Sequence, residues 1–243
     1  MLLPADWERR MKVDGYVVGH LEDPVSATDL HTEFRDSVNV EDAQRNFKEL
    51  TSVPAGSATI KTKLDPKRFI NDLMEDSAMK KRMVRLGEDI IRLTQRSLRR
   101  KGLKVRQGSM AHTALTTIGG AERQSNHCDL GAYGVLVVLT SDYHQFRVYS
   151  GISHVVENDE EMSKVESVTL HLTEKLVVFF DGRLVHGAEE YKCGGLPRYS
   201  AHIYLDELDV ELPENTTYPM FAKFGLDKKL LAWTPPGFYQ PPR

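Results

Sequence analysis

Residues 125–139 read SNHCDLGAYGVLVVL. A polar loop ends in a histidine and an aspartate two positions apart, and an almost unbroken apolar run follows. Such a run, rich in valine and leucine and bounded by turn residues, is the pattern of a strand buried on both faces. On an extended segment, side chains two apart project to the same side. His127 and Asp129 can therefore converge on one point while Cys128 faces the other way. The triplet alone means little. Nine histidines and 35 acidic residues in 243 make about one His-x-acid match expected by chance, and the chain has three: His20-Leu21-Glu22, His31-Thr32-Glu33 and His127-Cys128-Asp129. His31 and Glu33 fall in a helical pattern, where residues two apart diverge by about 200°.

Downstream of Gly102 the texture favours the third match. VRQGSMAHTALTTI, GVLVVLT, HQFRVYSG, ESVTLHL, KLVVFFDG and RYSAHIYLD are short β-rich segments separated by glycine, asparagine, aspartate and charged loops. Six such segments in close succession predict an antiparallel sandwich or barrel. Upstream, ADWERRM reads as a short helix, GYVVGHL as a strand, and SATDLHTEFRDSV as a helix with Ser26 or Thr28 at its N-cap. Residues 37–65 are polar and weakly periodic, with a candidate strand at SATIKTKL. The strongest helical signal spans about Arg68 to Lys101, where Met79, Met83, Leu86, Ile90, Leu93 and Ser97 recur at spacings of three and four. The expectation is an α+β fold with an all-β core. It is read as one domain over 1–243: a helix-rich part over about 1–104, a β core over about 105–207, and a C-terminal extension over 208–243 ending in the proline-rich TPPGFYQPPR.

Composition narrows the function classes. Hydrophobic residues make up 40% and charged residues 28%, as in an ordinary globular protein, and the net charge of −3 sets up no global field toward nucleic acid or membrane. Two cysteines argue against a disulfide scaffold and suit a reducing compartment. The N-terminus MLLPADWERRMK has too short an apolar stub for a secretory leader, and no apolar run is long enough to span a bilayer. An intracellular, cytoplasmic protein with no membrane partner is expected; oligomeric state leaves no trace in the sequence. Charge is unevenly spread. Residues 80–106 hold eleven Lys or Arg against two acids. A contact for nucleic acid is one reading, but no aromatic residues interleave with the charges to stack on bases. A solvated helix face is the simpler account.

Further ligands complete the pattern. His186 follows the apolar KLVVFFDGRLV and lies 57 residues after Asp129, enough chain for strands to leave and return. Two histidines and a carboxylate on one face of a metal leave positions open for small molecules, as in non-haem Fe(II) oxygenases. Arg198, twelve residues beyond His186, begins RYSAHIYLD, with Ser200 two further on and on the same side. A guanidinium fork beside a hydroxyl suits a carboxylate. Arg-x-Ser is as cheap as His-x-acid, since Arg35-Asp36-Ser37 and Arg123-Gln124-Ser125 also match. The order and spacing carry the weight.

HCD, FFDGRLVH and RYSAHIYL, in that order, resemble the iron(II)/2-oxoglutarate-dependent dioxygenases over roughly 105–207, and GYVVGHLEDPVSATDLHTEF resembles the start of several branches. The resemblance implies a double-stranded β-helix, the cupin-like jelly-roll barrel, with N-terminal helices packed on its major sheet. It implies that His127, Asp129 and His186 hold Fe(II), and that 2-oxoglutarate binds with its far carboxylate on Arg198 helped by Ser200. O2 is the co-reactant, with ascorbate as a supporting reductant. The implied reaction hydroxylates a C–H bond while 2-oxoglutarate is decarboxylated to succinate and CO2. An aspartate at 129, rather than a small residue that leaves room for halide, implies hydroxylation over halogenation.

The substrate expected is a small molecule or a protein side chain. A nucleic-acid base, oxidised or demethylated, is the alternative. Outside this chemistry the rivals are a non-catalytic β-barrel binding module and a cupin-like metal enzyme that needs no 2-oxoglutarate. His112, His144, His154, His171 and His202 are read as sheet or core histidines, Cys128 as a packed thiol, and Met74, Met79 and Met83 as core. A polar residue of MAHTALTTI is expected in the 2-oxoglutarate pocket, and VENDEEMSKVE (156–166) is read as a solvated loop or a lid.

Overall fold

The computed structural model describes residues 1–22, 26, 29–30, 32–33, 68–73, 76–98, 102–105, 112–117, 119–124, 127–129, 132–139, 144–149, 166–182, 184–192, 198–207 and 221–223. The candidate strand at 57–64, most of the 156–166 segment, Met74 and the proline-rich tail lie outside them.

The helix α1 (Trp7–Val13) ends where Gly15, at φ +79°, turns the chain, and the N–H groups of Asp14 and Gly15 both donate to Arg10 O. The strand β1 (Tyr16–His20) follows. The Asp29 N–H donates to Ser26 Oγ at 3.1 Å, so Ser26 acts as the predicted cap. β2 (Arg68–Asp72) is a strand where a helix was expected, and α2 (Ala78–Ser97) begins only at Ser77, whose Oγ accepts from Lys80 N–H at 3.1 Å. The physical reason is tertiary. RFIND pairs along β4 with Arg68 opposite Thr117, and the three-to-four apolar spacing starts at Met79. Then come β3 (Leu103–Val105), β4 (His112–Thr117), β5 (His127–Asp129), β6 (Tyr133–Val138), β7 (His144–Val148), β8 (Val168–Leu172), β9 (Leu176–Asp181), β10 (His186–Ala188), β11 (Arg198–Glu207) and β12 (Phe221–Lys223).

Among the described residues every pairing is antiparallel. The larger sheet has seven strands in the order β1-β9-β6-β11-β4-β2, with β3 on the end of β11. The smaller has five, in the order β12-β5-β10-β7-β8. Both edges of the larger sheet come from the helix-rich first part of the chain, and β12, from the C-terminal extension, pairs with β5 at Phe221 opposite Asp129 and Lys223 opposite His127. The expected closed barrel is not formed by the described residues. No described strand belongs to both sheets, so they stand as two faces of a sandwich.

Strict alternation gives the larger sheet two buried faces. Val135 and Val137 of β6, Val177 and Phe179 of β9, and Ala201, Ile203 and Leu205 of β11 pack on one side with Trp7 and Met11 of α1 and Met79, Met83, Leu86 and Ile90 of α2. Leu136, Val138, Val178 and Phe180 face the other way and meet Phe146, Val148 and Leu172 of the smaller sheet. That double burial is why GVLVVL and LVVFF are continuous apolar runs. α2 comes very close to its sheet: a β-carbon on Gly87 would lie 2.9 Å from Val105 Cγ2 and 3.5 Å from Ile203 Cγ2. Thr94, the one buried polar residue of the stripe, returns its hydroxyl to Ile90 O at 2.9 Å. No helix among the described residues is long and apolar enough to cross a membrane.

Candidate metal centre between the sheets

The smaller sheet lays β5 beside β10 through one register pair, His127 opposite His186. Asp129 is two residues along β5 and is 3% exposed; His186 is 4% exposed. Asp129 Oδ1 stands 3.5 Å from His186 Nε2. His127 takes its place through its backbone register. Among the described side chains no three His, Cys, Asp or Glu converge, so Asp129 and His186 are the described pair of this centre.

His186 is held in one orientation. The turn before β10 closes with Leu184 N–H donating to Asp181 O at 2.9 Å, and the carbonyl of Leu184 lies 2.9 Å from His186 Nδ1. A carbonyl only accepts, so Nδ1 carries a proton, and in the neutral ring Nε2 presents its lone pair toward Asp129. Phe146 and Phe180 both pack on the imidazole with ring centroids 5.0 Å away, and their own centroids are 6.1 Å apart. The ligand atom, its tautomer and its ring plane are thus set by a backbone acceptor and two aromatic walls. Such outer contacts fix metal-binding histidines generally.

The donor set fits a cation. The Asp129–His186 separation exceeds a strong hydrogen bond and suits two atoms that share an ion. A buried carboxylate is stabilised by a compensating charge, which a bound cation supplies. Carboxylate oxygen with imidazole nitrogen is a set that Fe(II) accepts.

Arg198 lies on the other sheet and faces the same interior. On β11, Ser200 is opposite Val138 and His202 is opposite Leu136, and both partners belong to the apolar cluster between the sheets. Arg198 shares their parity and is 1% exposed. Its guanidinium carbon sits 4.8 Å from the centroid of the Tyr191 ring, a cation–π contact. Tyr191 is itself pinned to the 120s loop. Its N–H donates to Ala121 O at 2.9 Å, and its carbonyl accepts from Gly120 N–H at 2.7 Å. Ser200, also 1% exposed, has Oγ 3.2 Å from His202 Nε2, and the His202 ring stacks on Tyr204 with centroids 6.4 Å apart.

The structure thus places Asp129 beside His186 in one sheet, with His127 opposite His186 in register, and places Arg198 with Ser200 in the facing sheet. Sequence reasoning could not choose a polar residue from MAHTALTTI. Register singles out Thr117, 1% exposed and directly across β4 from Arg198. Tyr191 was missed altogether, because an isolated tyrosine between strands carries no periodic signal. His144 is a core histidine, 2% exposed and edge-on to Phe146 at 6.3 Å, and His171 lies on the exposed strand β8. α2 stands against the opposite face of the larger sheet from Ser200 and Arg198, and its Arg82 forms a two-pronged ion pair with Glu33.

No family model and no curated protein sequence matches the chain. Solved structures do. The non-heme alpha ketoglutarate dependent epimerase SnoN from nogalamycin biosynthesis superposes with a TM-score of 0.56 at 19% identity, covering 99% of this chain and 94% of its own. EctD from S. alaskensis, solved with bound Fe, gives 0.56 at 17%, covering 98% and 86%. HygX from Streptomyces hygroscopicus, solved with nickel, 2-oxoglutarate and hygromycin B, gives 0.54 at 13%, covering 85% and 88%. At these identities the likeness is one of architecture: the chain has the fold of the non-haem iron and 2-oxoglutarate-dependent oxygenases.

Proposed function

We propose that this protein is an Fe(II)- and 2-oxoglutarate-dependent oxygenase that hydroxylates a C–H bond, built on the double-stranded β-helix plan as one domain. The observation that carries the reading is the buried Asp129 Oδ1–His186 Nε2 pair at 3.5 Å, with His127 opposite His186. The buried Arg198 on the facing strand wall adds the cosubstrate's half of the pattern.

In this reading His127, Asp129 and His186 would hold Fe(II), which with 2-oxoglutarate and O2 would supply the oxidant for the C–H bond while 2-oxoglutarate is converted to succinate and CO2. The protein's own residues do the rest. Arg198 receives the far carboxylate of 2-oxoglutarate in a dry interior, where an unpaired carboxylate is very costly. Ser200 and Thr117 stand beside it as hydroxyl donors. Tyr191 holds the guanidinium plane, and Leu184 O holds His186 in the tautomer that leaves Nε2 to the metal. Phe146, Phe180, Leu136 and Val138 exclude water around the reacting atoms.

A small molecule or a protein side chain is the substrate class favoured. The basic face of α2 lies across the sheet from this interior, so it does not lead a nucleic acid to the metal. HygX is solved with hygromycin B, and another likeness is a prolyl-4-hydroxylase. The test is anaerobic addition of Fe(II) and 2-oxoglutarate, which should raise a weak visible charge-transfer band, followed by succinate release in air with ascorbate. Absence of both the band and 2-oxoglutarate binding would return the protein to the class of non-catalytic β modules. Activity that survives Arg198→Ala and proceeds without added 2-oxoglutarate would point to a 2-oxoglutarate-independent metal enzyme.

A further inference from the structure

Resting on that reading of the metal centre, we infer that Arg147, Glu189 and Gln124 form a positioning clamp that holds the β5 half of the centre against the β10 half. The need for one is visible in the sheet. Among the described residues β5 meets β10 at a single register pair, whereas β7 meets β10 at three. Contacts outside that described pair therefore bear on how the strand of His127 and Asp129 sits against the strand of His186.

Further ties are made by Gln124, Arg147 and Glu189. Gln124 lies three residues before His127, and Ala188 two residues after His186. They bond twice: Gln124 N–H donates to Ala188 O at 2.9 Å, and Gln124 Oε1 accepts from Ala188 N–H at 3.1 Å. Arg147 locks this pair to β7. Its neighbours Phe146 and Val148 face the interior, so Arg147 projects to the reverse side, yet it is 1% exposed. One guanidinium nitrogen, Nη2, donates to Gln124 O at 3.1 Å, while Nη1 pairs with Glu189 Oε1. Glu189 follows Ala188 directly, and its N–H donates to Gln145 O at 3.0 Å. The Arg147 guanidinium also lies 6.0 Å from the Tyr149 ring centroid. A single buried fork thus joins the loop before β5, the end of β10 and the middle of β7.

A buried ion pair is weak evidence for stability, because desolvation offsets most of its attraction. Its value here is geometric. Arg147 projects away from the interior that holds Asp129 and His186, and it acts through Gln124 and Ala188 on the separation of the two strands. A lysine could keep one bond to Glu189 but not the fork that spans both partners.

The experiment is anaerobic calorimetric titration of metal-free protein with Fe(II), alongside thermal unfolding of the same metal-free samples. The variants are Arg147→Met, Arg147→Lys and Gln124→Ala. Removing outer contacts of a metal site weakens binding about 10- to 100-fold; that loss is expected for Arg147→Met, with a smaller loss for Arg147→Lys. Gln124→Ala deletes one neutral acceptor, so it remains folded if Arg147→Met does not, and it should still weaken Fe(II) several-fold. Fe(II) affinity unchanged in a folded Gln124→Ala or Arg147→Met protein, with only the unfolding temperature lowered, would make the cluster purely structural and overturn the clamp. Failure of the unaltered protein to take up Fe(II) is a different result: it removes the metal reading, and the clamp's purpose with it.

Discussion

The ring of Phe180 stands edge-on to the imidazole of His186, with centroids 5.0 Å apart and planes 64° apart, and it occupies the space where a side chain at position 134 would be. A β-carbon on Gly134 would overlap the Phe180 ring itself. Gly134 therefore sets the position of an aromatic wall of the candidate metal centre. Gly134→Ala should cost about 1–3 kcal/mol through overpacking, read by urea denaturation, and should weaken Fe(II) binding by displacing Phe180 toward His186. Adding Phe180→Leu should restore part of both losses. If Gly134→Ala leaves stability and metal binding unaltered, the wall is not constrained in this way.

Asp129→Ala and His186→Ala should abolish the visible band formed with Fe(II) and 2-oxoglutarate and reduce succinate release to background. Circular dichroism should show both proteins still folded. A variant of either residue that keeps the band and full turnover would end the metal assignment.

Arg198→Ala should raise the KM for 2-oxoglutarate steeply, since a hydrogen bond to a charged group is worth about 1.5–3 kcal/mol, or roughly 10- to 100-fold. Ser200→Ala and Thr117→Val should have smaller effects of the same sign. Tyr191→Phe keeps the ring beneath the guanidinium and should be mild, whereas Tyr191→Leu removes the cation–π contact and should raise the KM further. Steady-state kinetics with varied 2-oxoglutarate separates these cases. An unchanged KM in Arg198→Ala would move the cosubstrate carboxylate elsewhere.

α2 should matter for stability and not for cosubstrate binding. Ser77→Ala should cost about 1 kcal/mol through loss of its cap, and Met83→Ala about 2–5 kcal/mol through a core cavity. Gly87→Ala should destabilise by pressing Val105 away from the helix. None should change the KM for 2-oxoglutarate, because the helix packs on the sheet face opposite Arg198. Reversing the exposed charges at Lys81 and Arg85 should leave turnover intact, and loss of turnover would reopen the nucleic-acid reading.

Much of the framework was legible in local pattern. All six β-rich segments after Gly102 contain a strand, and Trp7–Val13 and Tyr16–His20 match the expected helix and strand. Their signals are periodicity and turn chemistry, which reside in the segment itself. β10 and β12 were not anticipated, because a three-residue strand has no period and exists only through its partner. β2 falls within the stretch whose spacing predicts a helix, because its strand character also comes from its partner. RFIND becomes a strand by pairing with β4, a contact with a segment more than forty residues away.

The candidate site divides in the same way. The sequence by itself determined the types and order of the residues: His127 with Asp129 on one extended segment, His186 after a buried strand, and Arg198 with Ser200 at the start of another. Chemistry restricts which residues bind cations and carboxylates, and alternation decides which share a face. Only the tertiary structure decided that Asp129 and His186 meet at 3.5 Å, that Thr117 stands across from Arg198, and that Tyr191 lies beneath its guanidinium. It alone revealed the Arg147–Glu189–Gln124 cluster behind the smaller sheet. Those relations are set by register and sheet packing, where hydrogen-bond ladders and buried area join segments remote in the chain, and no local pattern encodes which remote partner a strand will find.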